Sequence, residues 1–175
     1  NVSMLMSKRV GSNQTNSELV RAKGKRFAVL QEPQEDEKMN IGIMKELSGG
    51  DTVIARGLFE DPVEFKPQFK MVLTCNHLPK IQTNDKATWR RIRLVEFTSK
   101  FTIDADINNP KEFIVDTNLS ERFEDWKEIF IGMLIEKYKE CVSKGMVISE
   151  PDAVMKCTKT YMQSNDHLLE FFVDW

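Results

Sequence analysis

An α/β fold around a parallel sheet is what this sequence predicts, and three observations predict it. Phe27-Ala28-Val29-Leu30 is a short continuous apolar run, the pattern of a strand buried on both faces, and it delivers Glu32 at its end. Phe69-Lys70-Met71-Val72-Leu73-Thr74 is a second core strand, ending in Cys75-Asn76. Third, Trp89-Arg90-Arg91 forms a basic turn directly before a predicted strand over Ile92–Phe97.

The remaining elements follow in order. Residues 1–16 are polar after Met6 and read as a loop leading into a short helix near Ser17–Lys23, which Gly24 ends. After Gln31-Glu32-Pro33 and a polar loop, Asn40 is placed to cap a helix with Ile41, Met44 and Leu47 at three-residue steps; Gly49-Gly50 stops it. Thr52–Lys66 reads as a hairpin: Thr52-Val53-Ile54-Ala55 is β-prone, Val63 and Phe65 alternate with charged residues, and Glu60-Asp61-Pro62 supplies the bend. Ile103–Asn118, rich in Asp, Asn and Pro, reads as a surface connection. A helix over Ser120–Lys144 follows, with Phe123, Trp126, Phe130, Met133 or Leu134, and Tyr138 on one face and Gly145 as its stop. Helical pieces near Pro151–Gln163 and Asp166–Trp175 complete the chain.

Bulk properties exclude several classes. The 175 residues are 41% hydrophobic and 30% charged, enough to bury a core. No apolar run approaches the roughly 18–20 residues that span a bilayer, and the first ten residues lack the pattern of a signal peptide. Cys75, Cys141 and Cys157 are scattered, and His77 and His167 lie far apart, so metal-framework and nucleophilic chemistry have little to stand on; a reducing compartment is expected. The net charge of −2 confines any nucleic-acid contact to local basic positions. Such positions cluster in Lys80–Arg93, where Lys80, Lys86, Arg90, Arg91 and Arg93 face Asp85 alone.

Each motif carries two readings. A strand that ends in a carboxylate is how nucleotide-hydrolysing α/β sheets set an acid beside phosphates, but taken alone Glu32 reads better as a solvated strand end. The Asn76 amide, both donor and acceptor, suits holding a water; it also suits starting the turn before Pro79. Two adjacent arginines before a strand set permanently charged groups at the sheet edge, or form a solvated basic turn. Taken from its residues alone, the hairpin is structural, with Phe59 in the core.

Order and spacing join the motifs. The runs RFAVLQEP, MKELSGGDTVIARGLFEDPVEFKPQFKMVLTCNHLP and TWRRIRLVEF together resemble the superfamily 3 helicases, nearest to the primase-helicases of poxvirus-like and giant-virus replication systems and their phage and plasmid relatives. The resemblance covers about Ser17 to Lys144. It implies a P-loop NTPase-like (AAA+) parallel sheet core, incomplete here, followed by C-terminal helices. Residues 1–118 would be the partial ATPase core, 119–145 a helix packing on the motor, and 146–175 a helical lead-in to a further domain.

The resemblance also implies roles. Glu32 would be the acid ending the Walker B strand, acting on water or holding Mg²⁺; Asn76 the sensor amide; and Arg91, with Arg90 a close second, the arginine finger reaching a neighbouring subunit's nucleotide. The Thr52–Lys66 hairpin would grip DNA, with Arg56, Phe59 and Lys66 as contacts. ATP and Mg²⁺ are the implied cofactors. The implied partners are single-stranded or forked DNA, further copies in a hexameric ring, and a fused or associated primase; no membrane is implied, and the expected location is the cytoplasm or a viral replication site in the host.

Two departures stand out. Gln31 occupies the position where many Walker B strands carry Asp. No G-x-x-x-x-G-K-[ST] loop precedes the acid strand: Gly24-Lys25 is followed by Arg26, and Leu19 stands where the first glycine would be. The chain is therefore expected to be a piece that starts after the phosphate loop and stops within a helix, binding ATP poorly by itself and folding marginally. Two alternatives remain open: a non-catalytic DNA-binding and subunit-contact piece, and an ATPase whose basic positions bind RNA or protein.

Overall fold

Met4 and Leu5 are buried in a one-turn helix, α1 (Ser3–Met6), where the sequence predicts a loop. Burial of two large apolar side chains outweighs the polar composition of the residues around them. The computed structural model describes residues 3–6, 15–33 and 37–165. They divide into two units, one holding the chain up to Ile92 together with the stretch from Thr160, the other Arg93–Lys159.

In the first unit, α2 (Ser17–Arg21) begins where the Asn16 side chain accepts the Leu19 N–H at 3.1 Å, and Gly24 follows in the left-handed region at φ +74°. The strand β1 spans Phe27–Gln31. The helix α3 (Ile41–Gly49) matches its predicted signals at both ends: Asn40 Oδ1 accepts the Ile43 N–H at 3.1 Å, and Gly50 closes it at φ +82°. The predicted hairpin is present, with β2 (Val53–Ala55) antiparallel to β3 (Val63–Phe65) and Ile54 opposite Glu64. The strand β4 (Lys70–Thr74) lies parallel to β1, with Val29 beside Val72 and Gln31 beside Thr74.

One core unites these pieces: Leu30, Met44, Leu47, Val53, Ala55, Phe65 and Phe69, with Met4 and Leu5. The strand pair is covered on one face only. Leu30 is 2% exposed, whereas Phe27 is 61% and Val29 46% exposed on the opposite face, beside Val72. Burial on both faces, expected from the continuous apolar run, is thus corrected: no described element lies over the Phe27–Val29–Val72 face.

The basic turn is also different in detail. Lys86–Trp89 form a one-turn helix, α4, capped by Asp85, so Arg90 and Arg91 follow a helix rather than a loop. The predicted strand over Ile92–Phe97 has no ladder partner among the described residues. Its backbone is satisfied differently, the Leu94 N–H donating to Thr158 Oγ1 at 2.9 Å.

In the second unit, β5 (Lys100–Thr102) pairs in parallel with β6 (Glu112–Ile114), and Phe101 stacks on Phe113 with ring centroids 5.6 Å apart. The stretch expected to be a plain surface connection therefore contains a strand, because its apolar triplet of Phe113, Ile114 and Val115 outweighs the turn-forming residues before it. The helix α5 (Leu119–Ser143) and the Gly145 stop at φ +68° follow prediction. None of the α5 side chains is buried: Phe123, Trp126, Phe130 and Tyr138 are 42–62% exposed. The helix α6 covers Asp152–Ser164, and the helix predicted over Asp166–Trp175 lies outside the described residues. Among the described residues no helix is long and apolar enough to cross a membrane, and the three cysteines are free thiols.

Candidate functional site

Parallel pairing of β1 with β4 brings the ends of the two strands to one edge. The last register pair is Gln31 beside Thr74, and the next N–H, that of Glu32, donates to the Thr74 carbonyl at 3.0 Å. Glu32 and Asn76, the acid and the amide singled out in the sequence, therefore leave the same C-terminal edge of the same strand pair. Both are exposed. Beyond them the backbone meets again in an isolated parallel bridge between Lys38 and Lys80.

Glu32 has a feature that no sequence pattern announced. Its φ is +54°, the left-handed region that a residue with a Cβ enters at a cost of about 1–3 kcal/mol. Such strain persists where the surroundings over-determine it, and here the bond to the Thr74 carbonyl holds the residue in place. Cys75, between β4 and Asn76, is half-buried, and burial pushes its thiol pKa up; that disfavours the reactive thiolate.

The arginines sit at the end of α4. Asp85 begins that helix: its Oδ1 accepts the Ala87 N–H at 3.0 Å and its Oδ2 accepts the Thr88 hydroxyl at 3.1 Å. The Lys45 ammonium of α3 is ion-paired to the same Oδ2. This bond first, then the Ala87 N–H, lowers the Asp85 pKa to about 2. Thr88 is fully buried, and Trp89, 5% exposed, donates from Nε1 to the Thr83 carbonyl at 2.8 Å. Arg91 turns back so that Nη1 donates to the Ala87 carbonyl, while Arg90 is exposed.

The end of α6 supports both the loop after Asn76 and the arginine helix. Tyr161, 7% exposed, meets Trp89 edge-on with centroids 5.4 Å apart, and its hydroxyl donates to the Pro79 carbonyl. Burial raises its pKa well above the usual phenol range. Asn165 Oδ1 accepts the N–H of Ile81, itself completely buried, at 2.8 Å. Neither the Lys45–Asp85 pair nor Tyr161 stood out in the sequence. Asp85 ahead of Lys86-Ala87 is a helix-cap signal that could have found α4; contacts as remote along the chain as Lys45 with Asp85 or Tyr161 with Pro79 leave no local signal.

At the hairpin, Phe59 is 96% exposed at φ +59°, so its assignment to the core from residue type alone is corrected. The core there takes Val53, Ala55 and Phe65 instead. Arg56 shares the tip, with Nε donating to the Glu60 carbonyl at 3.0 Å. Lys66 follows β3 at the opposite end of the hairpin, so the three candidate DNA contacts do not form one cluster. Among the described residues no group of three His, Cys, Asp or Glu side chains could hold a metal ion.

Comparison with known proteins places the chain in company. The profile of a family described as of unknown function (DUF5906) matches residues 2–91. A protein of Acanthamoeba polyphaga mimivirus named as a putative helicase is 36% identical over 182 residues, covering 99% of this chain and 19% of that protein. One named as a putative helicase in Frog virus 3 is 30% identical over 174 residues, covering 95% of this chain and 18% of the relative. One named as a putative primase in African swine fever virus is 28% identical over 184 residues, covering 99% and 19%. The chain thus spans 18–19% of the length of these relatives.

Proposed function

The chain belongs to the DUF5906 family, whose function is unknown, and from that premise we propose that it is the later part of an ATP-driven DNA helicase motor of the superfamily 3 type, working in viral replication. The observation that carries this reading is that Glu32 and Asn76 follow the same C-terminal edge of parallel strands, where α/β sheets bind ligands. The names of the viral relatives point the same way.

The strand edge fits the water-activating side of a nucleotide site. Glu32 offers a solvent-facing carboxylate on a strained backbone, and one carboxylate suffices for Mg²⁺, which otherwise keeps waters and phosphate oxygens as ligands. Bound ATP-Mg²⁺ would supply the phosphoanhydride bond whose cleavage drives movement. Glu32 accepts a proton from the attacking water, and Asn76 holds that water through its amide. Arg91, or Arg90 beside it, acts from a neighbouring copy of the chain in a ring, stabilising negative charge with a permanently charged guanidinium. The hairpin tip, with Phe59 and Arg56, meets single-stranded DNA through stacking and backbone contact, and Lys66 contributes from the hairpin's far end. These 175 residues contain no phosphate-cradling loop, so the reading assigns that task to another stretch of the polypeptide.

That missing loop favours a second reading, a non-catalytic DNA-binding and subunit-contact piece. Unwinding of forked DNA by the full-length protein separates the two. The motor reading expects ATP-dependent unwinding that Glu32→Gln and Arg91→Ala abolish; ATP-independent DNA binding, unchanged in both variants, would support the second.

A further inference from the structure

Helix α3 and the base of the hairpin contribute side chains to one core. Met44 and Leu47 of α3 share a core with Val53, Ala55 and Phe65 of the hairpin base, and Gly50 joins them directly. A displacement of the hairpin tip is therefore felt by α3, because a close-packed core transmits strain rather than absorbing it.

The next link is electrostatic. Lys45, on α3, forms the ion pair with Asp85, and Asp85 is the residue that organises α4 through Ala87 and Thr88. A helix of one turn has no stability of its own, so its position is set by such attachments and by the burial of Thr88 and Trp89. Arg90 and Arg91 follow immediately, and the bond from Arg91 Nη1 to the Ala87 carbonyl makes that guanidinium travel with α4. Both partners of the ion pair are more than a third exposed, at 37% and 40%, where such pairs add little stability. The pair links α4 to α3 beside the buried anchors Thr88 and Trp89, and it can open and close at small cost.

We propose that the Lys45–Asp85 pair is a positioning link that carries the state of the hairpin to the Arg90-Arg91 turn, coupling DNA contact to ATP hydrolysis. It rests on the motor reading above and adds to it the route of communication. Lys45 and Asp85 touch neither substrate; they act through the arginines.

The test is steady-state ATP hydrolysis by the full-length protein, with and without forked DNA, comparing wild type with Lys45→Met and Lys45→Arg. Methionine keeps the apolar stem and leaves the Asp85 cap of α4 intact, and arginine keeps the charge. The expected result is unchanged DNA-free hydrolysis and KM for ATP in Lys45→Met, with DNA stimulation reduced on the order of 2- to 30-fold and restored in Lys45→Arg. Equal stimulation in all three proteins overturns the link. So does a parallel fall of the DNA-free and DNA-stimulated rates in Lys45→Met, or a loss in Lys45→Arg as large as in Lys45→Met. A wild-type protein that hydrolyses no ATP refutes the motor reading itself, an outcome distinct from these three.

Discussion

The Glu32 N–H donates to the Thr74 carbonyl at 3.0 Å, so the ladder between β1 and β4 continues one residue past their last register pair, into a residue with left-handed backbone. The acid is thereby held at the strand edge by the backbone itself. Its carboxylate has a fixed starting point from which to reach solvent.

A strained functional residue should reveal itself when the strain is removed. Glycine adopts φ +54° without penalty, so Glu32→Gly should raise stability by up to about 1 kcal/mol. The same substitution should slow ATP hydrolysis by the full-length protein by about 100-fold or more. Thermal melting and steady-state rates check the two halves; a variant that is destabilised and still hydrolyses ATP would contradict both.

Acid should weaken the attachment of α4. The Asp85 pKa in the folded chain is lowered from 3.8 to about 2, so the folded state binds this proton less readily than the unfolded state does. Its contribution to stability is fully present above about pH 4 and is lost as the pH falls through about 2. Melting curves should show a gap between wild type and Asp85→Asn that is constant at neutral pH and narrows below about pH 4. A gap independent of pH would mean that the charge on Asp85 contributes nothing.

Trp89 and Tyr161 form the support beneath the arginines and the loop after Asn76. Tyr161→Phe should cost about 1 kcal/mol, since it removes the bond to the Pro79 carbonyl and keeps the ring. Trp89→Ala should cost about 3–5 kcal/mol by opening a cavity against Tyr161. Denaturant titration measures both, and equal costs would argue against this packing.

Phe59 offers the opposite contrast. At 96% exposure it contributes nothing to the core, so Phe59→Ala should leave stability within about 0.5 kcal/mol of wild type. Affinity for single-stranded DNA should fall about tenfold, the loss of one stacking platform. Fluorescence anisotropy with a labelled oligonucleotide reads this; unchanged affinity would remove Phe59 from the DNA contacts.

Local signals made much of the first unit legible. Asn40 and Gly50 delimit α3, alternation in Val63-Glu64-Phe65 marks β3, and the apolar runs locate β1 and β4. Parallel pairing of β1 with β4 turned two separately weak motifs into one edge carrying Glu32 and Asn76. Features that depend on remote partners were not legible. The segment after Arg91 has a strand's alternation but, among the described residues, no ladder partner, and Phe27 and Val29 have a buried strand's composition but an exposed face. Lys45 with Asp85 and Tyr161 with Pro79 pair residues far apart along the chain, which only the fold brings together.

Mixing of subunits tests the central claim most directly. Glu32→Gln and Arg91→Ala forms of the full-length protein are assembled separately and together, and ATP hydrolysis is measured. If Glu32 acts in its own subunit and Arg91 reaches across to the next, each variant alone is inactive. The mixture regains activity, because some interfaces then combine an intact Glu32 with an intact Arg91. Co-assembled mixtures that stay as inactive as either variant alone would contradict a site shared between subunits in this way.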